Sequence, residues 1–128
     1  MKRLQLLPLV GVCLFVVLPG CGGGGGKKTV APSGTRAATT IKETEYALTP
    51  GTIKVSRAGR VTFLASNAGK MTHALEVEGN GVEMKTSNIA PGKSAKLSLS
   101  LKPGTYDMYC PIDGHKQLGM KGTVKVAG

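Results

Sequence analysis

The chain has 128 residues, with 17 Lys and Arg against 7 Asp and Glu, three Cys and two His. This length suits one domain with short appendages, and an aromatic content of 4% excludes a large aromatic core. Three-histidine catalytic zinc sites and multicopper centres use three or more histidines, so a chain with two histidines is not expected to build either kind of centre. With 19 glycines, the composition favours a small β-rich domain with many turns.

The first 20 residues have the features of a secretory signal. Lys2 and Arg3 precede an apolar run of 15 residues at 4–18. A helix of that length is shorter than the roughly 30 Å hydrocarbon core of a membrane, so the run predicts a signal peptide rather than a membrane anchor. It ends in Leu18-Pro19-Gly20-Cys21, which resembles the bacterial lipobox, although Pro19 departs from the usual small residue. The resemblance implies that Cys21 is lipidated.

Residues 22–38 are a predicted tether between Cys21 and the folded domain. They begin with five consecutive glycines and contain no acidic residue. This composition offers little to bury and predicts a flexible segment. The chain therefore divides into a signal peptide at 1–20, a lipidated Cys with its tether at 21–38, and a domain at 39–128. An ordinary signal peptide that leaves Cys21 as a free thiol is the alternative.

The cysteine count points towards a metal site. Cys13 leaves with the signal peptide and Cys21 carries the lipid, so only Cys110 remains in the mature domain and no internal disulfide is possible. Metal ligation is the best reason to keep a lone thiol in an oxidising compartment. A buried inert thiol and a reactive thiol are the alternatives.

From residue 39 onward, short β-branched runs alternate with turn residues such as Pro50-Gly51. Alternation places Val61, Phe63 and Ala65 on one face of a strand, for example. The pattern predicts strands at 39–46, 52–55, 60–66, 73–78, 96–101, 106–110 and 122–126. Six to eight such strands without a helical period predict an all-β antiparallel sandwich.

The segment 109–120 carries the most informative pattern. Four residues separate Cys110 from His115, and four more separate His115 from Met120. Thiolate and imidazole are good copper ligands, and a thioether suits a long axial bond. A fourth ligand must come from elsewhere, and His73 is the only other histidine. The sequence thus predicts a copper site of His73, Cys110 and His115, with Met120 axial.

Other interpretations of these residues remain open at this point. A single histidine on a strand, such as His73, is more often structural than a ligand. Zinc is the nearest rival to copper, with Asp113 as the fourth ligand, but it would leave Met120 unexplained because zinc favours thiolate and harder ligands. The other methionines, Met71, Met84 and Met108, are predicted to be ordinary core or edge residues.

Three segments around these residues resemble the cupredoxin family of small type 1 blue-copper proteins, such as plastocyanin, auracyanin and pseudoazurin. The segments are Pro103-Gly104-Thr105-Tyr106-x-Met108-Tyr109-Cys110, Gly119-Met120-x-Gly122-x-Val124-x-Val126 and Ala90-Pro91-Gly92-Lys93-Ser94. The resemblance covers residues 39–128 and implies a Greek-key β-sandwich with one type 1 copper that shuttles single electrons. This chain has Ala74 where the family often has an Asn that ties the ligand loops together. It also has Asp113 where close relatives often have Pro, and we expect this carboxylate to face water.

The resemblance also implies routes for electrons. His115 is expected near the surface, within an apolar patch of Pro111, Ile112 and Leu118, where its ring edge would meet a docked partner. Tyr109 matches a family tyrosine that marks a second exit, and a plain surface tyrosine is its alternative.

Charge predicts the kind of partner. Without residues 1–20, the chain keeps 15 basic and 7 acidic side chains. Lys116 and Lys121 flank His115 and Met120, which predicts a redox partner with an acidic docking face. Nucleic acid is not expected, because basic-aromatic clusters are missing.

We therefore expect an exported, lipid-anchored, monomeric electron carrier, held on the periplasmic face or the outer face of the cytoplasmic membrane. A copper acquisition or storage protein, helped by exposed Met71 and Met84, is the alternative. An enzyme is not expected, because both histidines are used and no further copper centre can be built.

Overall fold

The computed structural model describes residues 37–128, so the predicted signal peptide, Cys21 and most of the tether lie outside the described residues. The described part contains nine strands and no helix that could span a membrane. The strands are β1 (Thr39–Thr44), β2 (Ala47–Thr49), β3 (Thr52–Val55), β4 (Gly59–Asn67), β5 (Glu76–Gly79), β6 (Val82–Lys85), β7 (Ser94–Leu101), β8 (Gly104–Tyr109) and β9 (Lys121–Val126).

The strands form two sheets, in the orders β2-β1-β4-β7 and β3-β9-β8-β5-β6. Alternating burial follows from the period of two along each strand, as in β4, where Val61, Phe63 and Ala65 are buried. These side chains join Tyr106 and Val124 of the second sheet in one hydrophobic cluster. The predicted all-β sandwich is therefore confirmed.

Two details of the sheets differ from the sequence prediction. The sheets are mixed rather than wholly antiparallel, because β1 pairs in parallel with β4, and β3 with β9. There are nine strands rather than six to eight, since β2 has only three residues and β6 is mostly exposed without apolar alternation. His73 also lies before β5 instead of in it, and makes a single β-bridge with Ile89.

A buried tyrosine fixes the start of β8. The hydroxyl of Tyr106 donates to the carbonyl oxygen of Lys102 and accepts from the N–H of the same residue, both at 3.0 Å. Because Tyr106 is 1% exposed, these bonds satisfy a phenol that would otherwise be costly to bury. They anchor the strand that leads directly into Cys110.

The strands that lead into the ligand loops are held by pairing with their neighbours, in parallel for β1 with β4 and antiparallel for β8 with β9. Glu43, near the end of β1, is paired with Asn67, the last residue of β4. At the corresponding end of the second sheet, Tyr109 closes β8 and is paired with Lys121, the first residue of β9. The loops that carry His73 and Cys110 therefore start at strand ends held in fixed register.

Candidate metal centre

The loop from Cys110 to Met120 is closed by backbone hydrogen bonds. The N–H of Cys110 donates to the carbonyl oxygen of Met120 at 3.0 Å. The N–H of Met120 in turn donates to the carbonyl oxygen of His115, also at 3.0 Å. A third bond, from the N–H of His115 to the carbonyl oxygen of Ile112 at 2.8 Å, tightens the first half of the loop. The four-residue spacings in the sequence thus become a compact turn that brings all three side chains back to the core.

His73 reaches the same place from the loop between β4 and β5. Its N–H donates to the carbonyl oxygen of Ile89 at 3.1 Å, and the N–H of Ile89 donates back at 2.7 Å. This reciprocal pair holds the backbone of His73 although no regular strand contains it. The side chain is fully buried.

The three predicted equatorial ligands meet in one cluster. The Nδ1 atoms of His73 and His115 are 3.3 Å apart, and Cys110 Sγ is 3.5 Å from His115 Nδ1. All three donor atoms lie within 4.8 Å of one another. Since metal–nitrogen and metal–thiolate bonds are about 2.0–2.3 Å long, these separations are small enough for one ion to be shared.

Met120 completes the donor set expected from the sequence. Its side chain is fully buried, as is that of Cys110, and His115 is 2% exposed. Two imidazole nitrogens and a thiolate, with a buried thioether on the same loop, fit a single type 1 copper ion.

Burial dominates the electrostatics of the cluster. It raises the pKa of the Cys110 thiol, while hydrogen bonds from the N–H groups of Ile112 and Ala74 act in the opposite direction. Burial also lowers the pKa of His73, and the neighbouring His115 adds to that effect. A bound cation would favour the thiolate and the neutral imidazoles that these groups need to act as ligands.

A buried asparagine braces the loop that carries His73. Asn67 Nδ2 donates to the carbonyl oxygens of Met71 at 2.7 Å and Ile89 at 2.8 Å, and its Oδ1 accepts from the N–H of Gly69 at 2.9 Å. Since Ile89 pairs with His73, these bonds brace that ligand from behind. The side chain at position 74 is only a methyl group, but the N–H of Ala74 still bonds to Cys110.

Tyr46 and Glu45 are also part of this site and were not singled out by the sequence analysis. The Tyr46 ring meets the His115 ring edge-on, with centroids 5.1 Å apart. Glu45 lies beside His73, with Oε1 3.7 Å from Nε2. Both residues belong to the turn between β1 and β2, and their chain position alone carried no signal of the contact. For Asn67, the one available signal was an Asn at the end of an alternating strand.

Asp113 lies away from the cluster. It is exposed, as expected for a carboxylate that faces water, and it is not in the group of donor atoms formed by His73, Cys110 and His115. Asp113 therefore does not supply the fourth ligand that the zinc alternative required.

The expected docking residues lie on the same loop, at different depths. Pro111 and Ile112 are partly exposed and Leu118 is 60% exposed, whereas the His115 ring lies beneath the surface. Lys121 is exposed at the start of β9.

Tyr109 is tightly held on the outer face of the second sheet. Its hydroxyl lies 2.8 Å from Glu76 Oε1 and 2.9 Å from Glu78 Oε2, and Lys116 Nζ lies 3.4 Å above its ring. Burial and these two carboxylates raise the pKa of the phenol. Tyr109 is thus a neutral phenol fixed between acidic and basic side chains.

The other three methionines divide into one core and two surface residues. Met108 is fully buried in the core, whereas Met71 is 43% and Met84 45% exposed. The Tyr46 hydroxyl donates a weak hydrogen bond to Met71 Sδ at 3.8 Å.

The chain is similar to iron-uptake proteins over part of its length. It is 38% identical over 73 residues to the iron uptake system component EfeO of Escherichia coli (strain K12), and equally to that of Shigella flexneri. The match covers 56% of this chain and 19% of EfeO, so it spans about a fifth of these curated relatives.

Solved structures similar to this one are auracyanins. The dithionite-reduced auracyanin of Roseiflexus castenholzii aligns with a TM-score of 0.65 and 20% identity, covering 74% of this chain and all of that one. Auracyanin A of Chloroflexus aurantiacus, a blue copper protein, aligns with a TM-score of 0.58 and 15% identity, covering 70% and 99%. At these identities the likeness establishes the fold.

A family model supports the resemblance seen in the sequence. The cupredoxin-like domain matches residues 24–126, which include His73, Cys110, His115 and Met120. Because that match covers most of the chain, the protein belongs to the cupredoxin-like family.

Proposed function

We propose that the protein carries single electrons between redox partners by means of one type 1 copper ion. The observation that supports this most is the buried cluster of His73, Cys110 and His115, with Met120 on the same loop. Copper in such a donor set supplies a one-electron couple whose potential depends on the axial ligand and on hydrogen bonds at the sulfur.

The residues of the chain would perform three tasks for this couple. Asn67 and Ile89 keep His73 in place, and the N–H groups of Ala74 and Ile112 orient the Cys110 sulfur. The buried position of the donor atoms excludes water and favours a small structural change on electron gain or loss.

The first experiment is a visible and paramagnetic-resonance spectrum of the protein after addition of Cu(II). We expect an intense thiolate-to-copper band with narrow hyperfine splitting, which ascorbate bleaches and an oxidant restores. Cys110→Ser should remove the band. Two results would contradict the proposal. One is weakly bound, pale copper without the intense band and with broad hyperfine splitting, and the other is a Cys110→Ser protein that stays blue.

Met120→Leu tests the axial ligand. We expect the band to persist and the midpoint potential to rise, because a thioether that stabilises Cu(II) is lost. Met108→Leu is the matched control, since Met108 is equally buried but lies outside the donor set. An equal shift in both variants would assign the effect to packing rather than to ligation.

We further propose that the carrier is exported and held at the membrane by lipid on Cys21, since residues 1–38 carry the signal, lipobox and tether patterns. Mass spectrometry of the native N-terminus would test this. Lipidated Cys21 as the first residue supports the proposal, whereas a free thiol on a soluble protein contradicts it.

Electrons would leave through the His115 end, at a partner with an acidic docking face. The exposed Leu118 and the lysines 116 and 121 on or beside this loop support such docking. Lys121→Glu should slow electron transfer to the partner and weaken the dependence of that rate on salt. Tyr109 would serve as a second exit for electrons. Because Glu76 and Glu78 surround its hydroxyl, this exit would suit a partner with a basic docking face.

A role in copper acquisition is the second candidate, and two observations favour it. The chain resembles a component of an iron uptake system over 73 residues, and Met71 and Met84 are exposed thioethers. Transfer of copper to a chelator distinguishes the candidates. Rapid release would favour acquisition, and slow release with a reversible redox couple would favour electron transfer.

A further inference from the structure

The far side of the His73 ring faces a carboxylate. Nδ1 points to His115 at 3.3 Å, so Nε2 is the nitrogen turned away from the cluster. Glu45 Oε1 lies 3.7 Å from Nε2, and no group in residues 37–128 makes a hydrogen bond to that nitrogen. At this distance the contact is longer than a hydrogen bond, and charge–dipole attraction is the polar interaction available to Nε2.

Glu45 is held firmly where it lies. Its Oε1 accepts the N–H of Met71 at 2.8 Å and also the N–H of Lys70. These two backbone hydrogen bonds fix the carboxylate of Glu45 beside the His73 ring. The loop that leads into His73 thus holds the carboxylate that faces the same residue.

We propose that Glu45 is a positioning residue that keeps the ring proton of His73 on Nε2 and so leaves the Nδ1 lone pair free for a metal ion. This inference rests on the proposed copper site. A histidine ligand usually donates its second N–H to an oxygen that fixes the tautomer and makes the ligand more basic.

A competing tautomer makes this role necessary. If the proton sat on Nδ1 of His73, it could be donated to His115 Nδ1 only 3.3 Å away, and the lone pair needed for metal binding would be lost. The charge of Glu45 favours the proton on the opposite nitrogen. It also stabilises the more positive Cu(II) state over Cu(I), which lowers the midpoint potential.

Glu45→Gln separates this electrostatic role from a structural one. The amide oxygen can still accept the N–H groups of Lys70 and Met71, so the loop keeps its anchor, while the charge is removed. Glu83→Gln is the matched control, because Glu83 is an exposed glutamate on β6, outside the site.

The first readout needs no metal. Nitrogen-15 NMR of the metal-free protein, above the pH at which histidine gains a proton, reports which ring nitrogen carries hydrogen. We expect His73 to be protonated on Nε2 in the unmodified protein and in Glu83→Gln, and to shift towards Nδ1 in Glu45→Gln. A proton on Nδ1 in the unmodified protein overturns the inference, whatever the variants do.

The second readout uses copper. We expect Glu45→Gln to bind Cu(II) about 10–100-fold more weakly, as is typical when the partner of a ligand is removed. Each tenfold loss of affinity for Cu(II) that leaves the affinity for Cu(I) unchanged raises the midpoint potential by about 59 mV. Affinity and potential equal to those of Glu83→Gln would overturn the inference. If the unmodified protein gives no blue copper site, the proposed function is contradicted. The NMR measurement of the His73 tautomer would still test the role of Glu45 in that case.

Discussion

Replacing Glu43 with Gln tests whether the buried carboxyl of β1 is held in its neutral form. Glu43 is fully buried on the core side of the strand, and neither carboxylate oxygen has a hydrogen-bond partner among residues 37–128. Burial raises the pKa of Glu43 from 4.5 to about 7. The folded protein therefore favours the protonated acid, whereas the unfolded chain ionises it near the ordinary value.

The pKa difference sets the size of the effect. A rise of the pKa from 4.5 in the unfolded chain to about 7 in the folded protein corresponds to about 3 kcal/mol of unfolding free energy. Because the folded pKa is the higher one, this contribution is fully present below about pH 4.5. It is lost as the pH rises through about 7, because the folded protein must then either bind a proton or bury a charge.

Urea unfolding of the protein without added copper, at several pH values between about 4 and 8, would measure this contribution of Glu43 to the unfolding free energy. The free energy of unfolding of the unmodified protein should fall by about 3 kcal/mol relative to Glu43→Gln across this range. Histidine and cysteine titrate in both proteins, so their effects largely cancel in the difference. Glu83→Gln, at an exposed position of β6, is the control variant in the same titration. A pH-independent difference for Glu43→Gln would refute a carboxyl kept neutral by burial.

Three further substitutions test the packing around the site. Asn67→Ala should lower the unfolding free energy by about 2 kcal/mol, because one buried and one partly buried carbonyl group lose their donor; urea titration would measure this loss. Gly122→Ala should cost about 1–3 kcal/mol, since its Cβ would collide with the carbonyl oxygen of Gly51, and Gly51→Ala, which has room, is the control in the same titration. Tyr106→Phe should lower the midpoint of thermal unfolding by an amount equivalent to about 1 kcal/mol, through loss of the hydroxyl bonds to Lys102.

The four candidate ligands could be predicted from the sequence, because three of them share one local spacing pattern and only one histidine remained for the fourth position. Cys110, His115 and Met120 lie at fixed spacing in one loop, and His73 is the only histidine left to join them. The strand pattern was equally local, since alternation in β4 and β7 follows from burial of one face. The structure places the triad together as this spacing suggested.

The groups behind the ligands could not be predicted, because their contacts depend on long-range register. Glu45 and Tyr46 reach the site through the parallel pairing of β1 with β4, between segments about twenty residues apart. Neither residue carries a local pattern that distinguishes it from a surface turn. β6 was missed for a related reason: its side chains are mostly exposed and have no apolar alternation.

The position of the donor atoms bears on the choice between carrying electrons and delivering metal. A delivery site benefits from ligands that solvent and a partner can reach, but His73, Cys110 and Met120 are fully buried and His115 is 2% exposed. Release of a bound ion would require the loop from Cys110 to Met120 to open, against the backbone bonds that close it. An electron needs no such opening, because it can pass through the covered His115 ring to a partner docked on the loop. The enclosed geometry therefore favours electron transfer over metal delivery, whereas Met71 and Met84 are exposed at the surface.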